Sequence, residues 1–150
     1  MAEEMKFRHT MPVQIRFSDV DQFGHVNNSV YFSLYDLAKT TYIKEVLGET
    51  DWDKLAVVIA NINANFYAPV FFSDPMVIET AVVHLGNKSF TLLQRAVATH
   101  TGEVKCECRT VMVGYDLATK EPQPIANRYK EAICRYEGRT MEDLCAPMAK

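Results

Sequence analysis

The sequence predicts an α+β fold in which an antiparallel sheet wraps around one long helix. Three observations indicate it: one helical segment near the N-terminus, several strand-like segments after it, and turn signals between those strands. The chain has 150 residues and is 48% hydrophobic, which suits one packed domain. We expect a single domain over residues 1–137, followed by a C-terminal tail, 138–150, that is partly disordered.

The N-terminal part of the chain predicts a strand followed by a polar loop. Val13, Ile15 and Phe17 alternate with polar residues over residues 11–17, which is the period of a half-buried strand. Residues 18–28 are polar and contain a glycine, so we expect a loop there.

The helix is predicted at residues 29–47, because apolar residues recur there at three- and four-residue steps. The side chain of Asn27 or Asn28 can cap its first N–H groups, and Gly48 is the expected stop. Apolar and aromatic residues on several sides predict burial over much of its circumference. The apolar positions are Val30, Tyr31, Leu34, Leu37, Ala38, Tyr42 and Val46.

After the helix the period changes to that of strands. Residues 55–68 are rich in strand formers until Pro69 interrupts them. Gly86-Asn87 and Thr101-Gly102 are turn signals between the later strands, so we expect an antiparallel meander. Those strands are predicted at 76–85, 89–100 and 103–116, and a short helix at 128–136.

Charge and hydropathy argue against two classes of function. The formal net charge is −3, so no basic excess is present to follow a nucleic-acid backbone. No apolar run approaches the length needed to span a bilayer, and residues 1–8 lack an apolar leader. We therefore expect a cytoplasmic protein that does not bind nucleic acid and has no membrane span.

The cysteines are expected to be free thiols in that compartment. Cys106 and Cys108 would lie on one face of a strand, and the other two are Cys134 and Cys145. A zinc site would need further soft ligands at suitable spacing, and the histidines are scattered. We predict no metal and no cofactor.

Residues 19–31 hold the candidate chemistry: two carboxylates, a glycine and a histidine directly before a capped helix. A helix N-terminus presents unpaired N–H groups and a partial positive charge, which suits a carbonyl oxygen that gains negative charge in acyl transfer. A nearby carboxylate can activate water or attack the carbonyl itself. Alternatively, Asp19 and Asp21 only shape the loop and the asparagines only cap the helix.

The combination is more specific than any single residue. It resembles the D-x-D-x-x-G-H-V-N-N-x-x-Y form of the 4-hydroxybenzoyl-CoA thioesterase family of hotdog-fold enzymes. The resemblance extends over about residues 13–116 and includes the turn at 86–90 before a central strand. It implies a hotdog fold and hydrolysis of an acyl-CoA or acyl-carrier-protein thioester. The matching residues are Asp19, Asp21, Gly24, His25, Val26, Asn27, Asn28 and Tyr31.

The resemblance also implies roles for these residues. Asp21 would be the catalytic carboxylate, as nucleophile or as general base, and the sequence does not choose between the two. The first N–H groups of the helix, near Asn28, would polarise the thioester carbonyl. His25 would assist Asp21, orient the substrate or hold the loop, since some relatives carry a histidine at the position of Asn28 instead. Tyr31 would contact substrate. The expected loop-shaping and capping residues are Asp19, Gly24 and Asn27.

The resemblance implies substrate contacts across subunits, because the family forms dimers with sites at the interface. A sheet with one uncovered edge also predicts a homodimer or homotetramer. Asn63 and Asn65 are candidate substrate contacts, although an outward strand face explains them equally well. Lys88 and Ser89 are the candidates for contact with the CoA phosphates. Further basic residues that could contribute are Arg95, Arg109, Lys120 and Arg128.

Two other functions stay open on sequence grounds. One is a hotdog enoyl-thioester hydratase or dehydratase, although the spacing of Asp21 and His25 is one residue short of the hydratase D-x-x-x-x-H and lacks its Asn-Pro. The other is a non-catalytic acyl-thioester binding protein, against which Asp21 argues. Fold alone would not separate these functions.

Overall fold

A computed structural model describes residues 6–51 and 54–146 of the chain. A short 3₁₀ turn, Phe17–Asp19, precedes the main helix, which ends in one π-helical segment, Ile43–Leu47. The elements are β1 (His9–Val13), α1 (Asn28–Tyr42), β2 (Val57–Phe66), β3 (Met76–Leu85), β4 (Ser89–Ala98), β5 (Val104–Asp116), β6 (Glu121–Pro122), α2 (Asn127–Glu137) and α3 (Met141–Cys145).

The strands form one antiparallel sheet in the order β1-β3-β4-β5-β2, with β6 paired to the end of β5. The sheet packs its inner face against α1, so the predicted α+β fold, a sheet wrapped around one helix, is confirmed. The predicted meander is β3, β4 and β5. Strand β2 lies at one edge of the sheet, next to β5.

The core divides into two clusters along α1 and its π-helical extension. Tyr31 and Tyr35 lie in the first cluster, with Cys106 from β5. Tyr42 lies in the second, with Ile133 from α2 and the β4 side chains. Because α2 covers only this second cluster, the first half of α1 remains accessible from the β2 side.

The helix begins and ends where capping chemistry predicts. Asn27 has extended backbone angles, and its Oδ1 accepts a hydrogen bond of 3.0 Å from the Ser29 N–H. Gly48 has a φ of +69°, the left-handed conformation that glycine adopts without cost at a helix end.

The first strand differs from the prediction. It ends at Val13, and Phe17 is 84% exposed rather than part of the alternating strand. The reason is the side chain of Asp19, which accepts a hydrogen bond from the Arg16 N–H and turns the chain into the 3₁₀ segment.

The C-terminal tail contains an element that the sequence did not predict. α3 begins at a capping box between Thr140 and Asp143, and it buries Leu144 completely against the second core cluster. Residues 147–150 lie outside the described part of the chain. The helix was missed because five residues are too few to show a helical period.

Candidate active site

The loop between β1 and α1 places its two aspartates in opposite environments. Asp19 is 2% exposed and accepts hydrogen bonds from the Arg16 N–H, at 2.8 Å, and from its guanidinium, at 3.0 Å. The Arg16 hydrogen bonds lower the pKa of Asp19, since they favour the charged carboxylate. Its main-chain oxygen also accepts from the Asn27 N–H. Asp19 therefore fixes the loop to the start of the helix.

Asp21 is exposed, and its backbone and side chain bind the same short loop. Its Oδ1 accepts hydrogen bonds from the N–H groups of Phe23, at 2.9 Å, and His25, at 3.2 Å. Its own N–H donates to the His25 carbonyl oxygen at 2.8 Å. Gly24 has a φ of +78°, which lets the chain reverse within these five residues. Both side-chain bonds fall on Oδ1, so Oδ2 is the atom left for chemistry.

The N-terminus of α1 presents one free backbone donor. Asn27 accepts hydrogen bonds from two of the first N–H groups of the helix. Its side chain binds the N–H of Ser29, and its carbonyl oxygen binds the N–H of Val30. The N–H of Asn28 has no hydrogen-bond partner among the residues that the structure describes. A free N–H at a helix N-terminus is a suitable donor for an oxyanion.

A cleft of about 390 Å³ joins these groups. Asp21, His25 and the first turn of α1 form one side, and the last residue of β2 with the three residues after it, 66–69, forms the other. Of the predicted site residues, the cleft brings together five: Asp21, His25, Asn27, Asn28 and Tyr31.

His25 is held by contacts on its backbone and its ring. Its backbone pairs with Phe71 in an isolated antiparallel bridge. The ring meets Phe71 edge-on, with centroids 5.1 Å apart, and lies 6.4 Å from the ring of Phe23. These contacts orient the imidazole beside the Asp21 loop.

Tyr31 lines the cleft from below. The residue is buried and meets Phe66 edge-on, with ring centroids 5.4 Å apart. Burial raises the pKa of its hydroxyl to about 12, so it remains a neutral hydrogen-bonding group at physiological pH. Tyr31 and Phe66 together make an apolar floor under the polar groups of the loop.

Asn63 and Asn65 do not line this cleft within one protomer. Ala64 packs into the core beneath α1, so strand alternation turns its two neighbours to the outer face of the sheet. There they border a separate groove of about 360 Å³ with Glu107 and Arg109. Contact of Asn63 and Asn65 with substrate across a subunit interface therefore remains a prediction.

Lys88 and Ser89 also lie far from Asp21 in the same chain. Phe66 pairs with Cys106 of β5, which pairs with Ala96 of β4. Ser89 lies seven residues before Ala96, which corresponds to roughly 23 Å along the strand. The predicted coenzyme A contacts are therefore at the opposite end of the sheet from the cleft.

The wall of the cleft formed by residues 66–69 is not predicted by the sequence. Tyr67 and Ala68 both donate N–H hydrogen bonds to the Lys105 carbonyl oxygen, which holds this segment at the end of the sheet. The available signal was Pro69, which ends the strand just after two aromatic residues. Nothing in the local pattern indicates that this strand end faces the loop at 18–28.

The cysteines contribute no nucleophile to the cleft. Cys106 and Cys108 are buried free thiols on the inner face of β5, as the strand period predicts for their shared face. Burial raises the pKa of Cys106 to about 11, which keeps it protonated. In residues 6–51 and 54–146, no three His, Cys, Asp or Glu side chains are grouped as metal ligands. No helix in those ranges is long and apolar enough to cross a membrane.

Comparison with known proteins gives a consistent result across sequence and structure. The family model described as the thioesterase-like superfamily matches residues 15–133. The long-chain acyl-CoA thioesterase FadM of Escherichia coli K12 is 26% identical over 124 residues, which are 81% of this chain and 93% of that protein.

Two solved structures resemble the fold closely. A thioesterase from Thermus thermophilus, in complex with coenzyme A and zinc, superposes with a TM-score of 0.81 at 28% identity, over 89% of this chain and 97% of that one. The PA5185 protein of Pseudomonas aeruginosa PAO1 gives a TM-score of 0.78 at 25% identity, over 87% and 92% of the two chains.

Proposed function

The chain belongs to the thioesterase-like superfamily and is a thioester hydrolase, and from this premise we propose that it hydrolyses an acyl-CoA to a free acid and coenzyme A. The observation that carries the proposal is the meeting of a carboxylate, Asp21, and a free helix N–H, that of Asn28, in one cleft. The similarity to an acyl-CoA thioesterase and to a thioesterase bound to coenzyme A supports this substrate class.

In the proposed reaction the thioester carbonyl lies at the N-terminus of α1. Asp21 either deprotonates a water molecule that attacks the carbonyl carbon or attacks it directly. The oxyanion that forms accepts a hydrogen bond from the Asn28 N–H, aided by the helix dipole. Collapse of the intermediate expels the coenzyme A thiolate. Direct attack gives a mixed anhydride, which a water molecule then hydrolyses to regenerate the carboxylate.

His25 and Tyr31 have supporting parts in this proposal. His25 donates its backbone N–H to Asp21 Oδ1 and is braced by Phe71, which supports a role in aiming the carboxylate. The neutral Tyr31 hydroxyl and the Phe66 ring support a binding floor for the acyl group next to the thioester.

We further propose that the working unit is a dimer formed through β2. This strand is at the sheet edge, and the exposed side chains along it include Val58, Ile59 and Ile62. An exposed apolar edge strand is normally paired or covered, and a two-fold axis is the commonest arrangement. Light scattering that shows the active protein to be a monomer at assay concentration would contradict this dimer.

Such a dimer accounts for the distance of Lys88 from the cleft. A two-fold axis near the middle of β2 brings Val57 of one protomer beside Phe66 of the other. Val57 pairs with Gly114, whose N–H bonds to the Lys88 carbonyl oxygen. The partner's Lys88 then lies three strand spacings away, about 14 Å, at the same end as the cleft. Its ammonium is available there for a phosphate of coenzyme A.

The proposed function is tested by release of free thiol from a panel of acyl-CoAs. Asp21→Asn keeps the shape of the side chain and removes its charge, so we expect kcat to fall by roughly 10²–10⁴-fold. Asp19→Asn is the matched control in the same loop, and it should lower the thermal midpoint while turnover is largely retained. Near-normal kcat in Asp21→Asn would refute the role of Asp21.

Some predictions from the sequence remain predictions. The substrate can be a coenzyme A or a carrier-protein thioester, and parallel assays with both decide between them. The absence of a cofactor and the cytoplasmic location likewise remain predictions from composition and motif.

A further inference from the structure

One stripe of α1 runs from the cleft along the open side of the protein. Residues 28, 32, 36 and 39 follow at steps of four, four and three, so they share one face of the helix. Phe32 on this stripe contacts Phe66 of β2, with ring centroids 6.5 Å apart. The stripe therefore faces the edge strand.

Between this stripe and β2 lies an open apolar trough. Phe66, Ala64 and Ile62 alternate along the inner face of β2, and the two large side chains are 42% and 40% exposed. Phe66 also lines the catalytic cleft. The trough is thus continuous with the place where we put the thioester, and an acyl chain can extend into it from there.

A charged pair stands at the far end of this trough. Lys39 is only 5% exposed, and its Nζ lies 3.2 Å from Oδ1 of Asp36. Both charges act on the buried thiol of Cys108, which lies opposite Ala64 in the sheet. The ammonium of Lys39 is therefore buried on the sheet side of the helix, near the level where the apolar inner face of β2 meets β5, while the side chain of Asp36 is 61% exposed.

The position of this pair limits the length of the acyl chain that the trough can hold. Asp36 follows Asn28 by eight residues, about 12 Å along the helix axis. That distance is comparable to the extended length of an octanoyl or decanoyl chain. A longer chain would press its methyl end against an ammonium that is already largely removed from water, and burying a charge without further partners is unfavourable.

We propose that Lys39, held by Asp36, is a specificity-determining residue that closes the acyl trough and limits the substrate to medium-length acyl chains. The proposal rests on the proposed thioesterase function and adds the substrate class within it. Lys39 takes no part in the chemical step, so its replacement should alter which acyl group is accepted and leave turnover of short chains intact.

The test is a chain-length profile of kcat/KM with butyryl-, hexanoyl-, octanoyl-, decanoyl-, lauroyl- and palmitoyl-CoA, each below its micellar concentration. The wild-type protein should be most active on octanoyl- or decanoyl-CoA and lose activity on palmitoyl-CoA. Lys39→Met should raise kcat/KM for palmitoyl-CoA about tenfold and change that for hexanoyl-CoA little. Lys44→Met, an exposed lysine on the same helical segment, is the matched control and should keep the wild-type profile.

A second variant tests whether misfolding of Lys39→Met explains its result. Lys39→Gln keeps a polar tip without the charge, and it should shift the profile in the same direction by less. An unchanged profile in both variants, with thermal melts showing folded protein, would overturn the role of Lys39 while hexanoyl-CoA turnover upholds the thioesterase. Equal wild-type activity on every length would also overturn it. If no acyl-CoA releases thiol, the proposed function itself fails.

Discussion

The two ends of the central helix are built in opposite ways. At the N-terminal end, the Asn28 N–H is free of partners among the described residues and Asp21 is exposed in an open cleft. At the C-terminal end, Tyr42 is buried and donates a 2.6 Å hydrogen bond to Glu137 Oε2. The same oxygen accepts from the Val82 N–H at 2.9 Å. One end leaves polar groups for a substrate, and the other pairs them inside the protein.

This difference separates the end that stabilises the fold from the end at which we propose that the reaction occurs. The buried cluster at the C-terminal end connects α1, β3 and the end of α2 through one carboxylate. His9 of β1 adds an edge-on contact with Tyr42, with ring centroids 5.4 Å apart. Because this end holds the helix in place, the other end can keep an unpaired donor, which would be costly if it were buried without a partner.

The sharpest test of the reactive end is removal of its free donor. Asn28→Pro deletes the N–H at a position where proline suits the helix. We expect kcat to fall by roughly 10²–10³-fold, because the oxyanion needs the donor more than the ground-state carbonyl does. Steady-state kinetics alongside a thermal melt measures this.

Asn27→Ala is the matched control for that variant. It removes the cap and should cost about 1 kcal/mol of stability, with a smaller loss of kcat as the donor is less well aimed. A folded Asn28→Pro protein with unchanged kcat would remove the helix terminus from the mechanism.

The sharpest test of the structural end is Glu137→Ala. It leaves the Tyr42 hydroxyl and the Val82 N–H buried without their acceptor, so we expect a loss of roughly 3 kcal/mol in the free energy of unfolding. Urea denaturation measures this loss. Turnover per folded molecule should be preserved, and a large fall in kcat at full occupancy of the native state would show that the two ends are coupled.

A smaller expected effect is that carboxylates at the two ends contribute to stability with opposite pH dependence. Burial raises the pKa of Glu137, so its contribution to stability is complete below the pKa of an unfolded glutamate and is lost as pH rises through the folded value. The pKa of Asp19 is lowered by Arg16, so its contribution is present above the unfolded value and is lost as pH falls through the folded one.

The thermal midpoint of the wild type relative to Glu137→Gln should therefore change above about pH 4, and that relative to Asp19→Asn should change below about pH 4, in opposite directions. Relative to Glu137→Gln the wild type should weaken with rising pH, and relative to Asp19→Asn it should strengthen. Parallel curves for the two pairs would contradict these assignments.

The sequence predicts local features of this fold well and distant pairings poorly. β3 lies at the predicted 76–85, and Asn27 caps the helix as predicted. Both features could be predicted because strand alternation and helix capping depend on residues that are neighbours in the sequence. Six of the eight motif residues line one cleft for the same reason, since the loop from 19 to 28 leads directly into α1.

What could not be predicted depends on strand order and on which face a residue occupies. Lys88 and Asp21 are separated because β4 runs antiparallel to β5 and carries the turn away from the cleft. Asn63 faces outward because Ala64 is packed inward, which requires knowing where α1 lies. A lysine on a helix is ordinarily exposed, and only packing shows that Lys39 is buried.

The edge strand β2 also affects how the chain behaves before the proposed dimer forms. Its outer backbone groups are open for pairing, and its side chains are apolar on one face. A newly synthesised protomer therefore carries a template that accepts any extended segment, including the same strand of a misfolded copy. Formation of the proposed dimer and irreversible aggregation would then compete for one surface, so the yield of soluble protein should depend on how quickly two chains meet during synthesis.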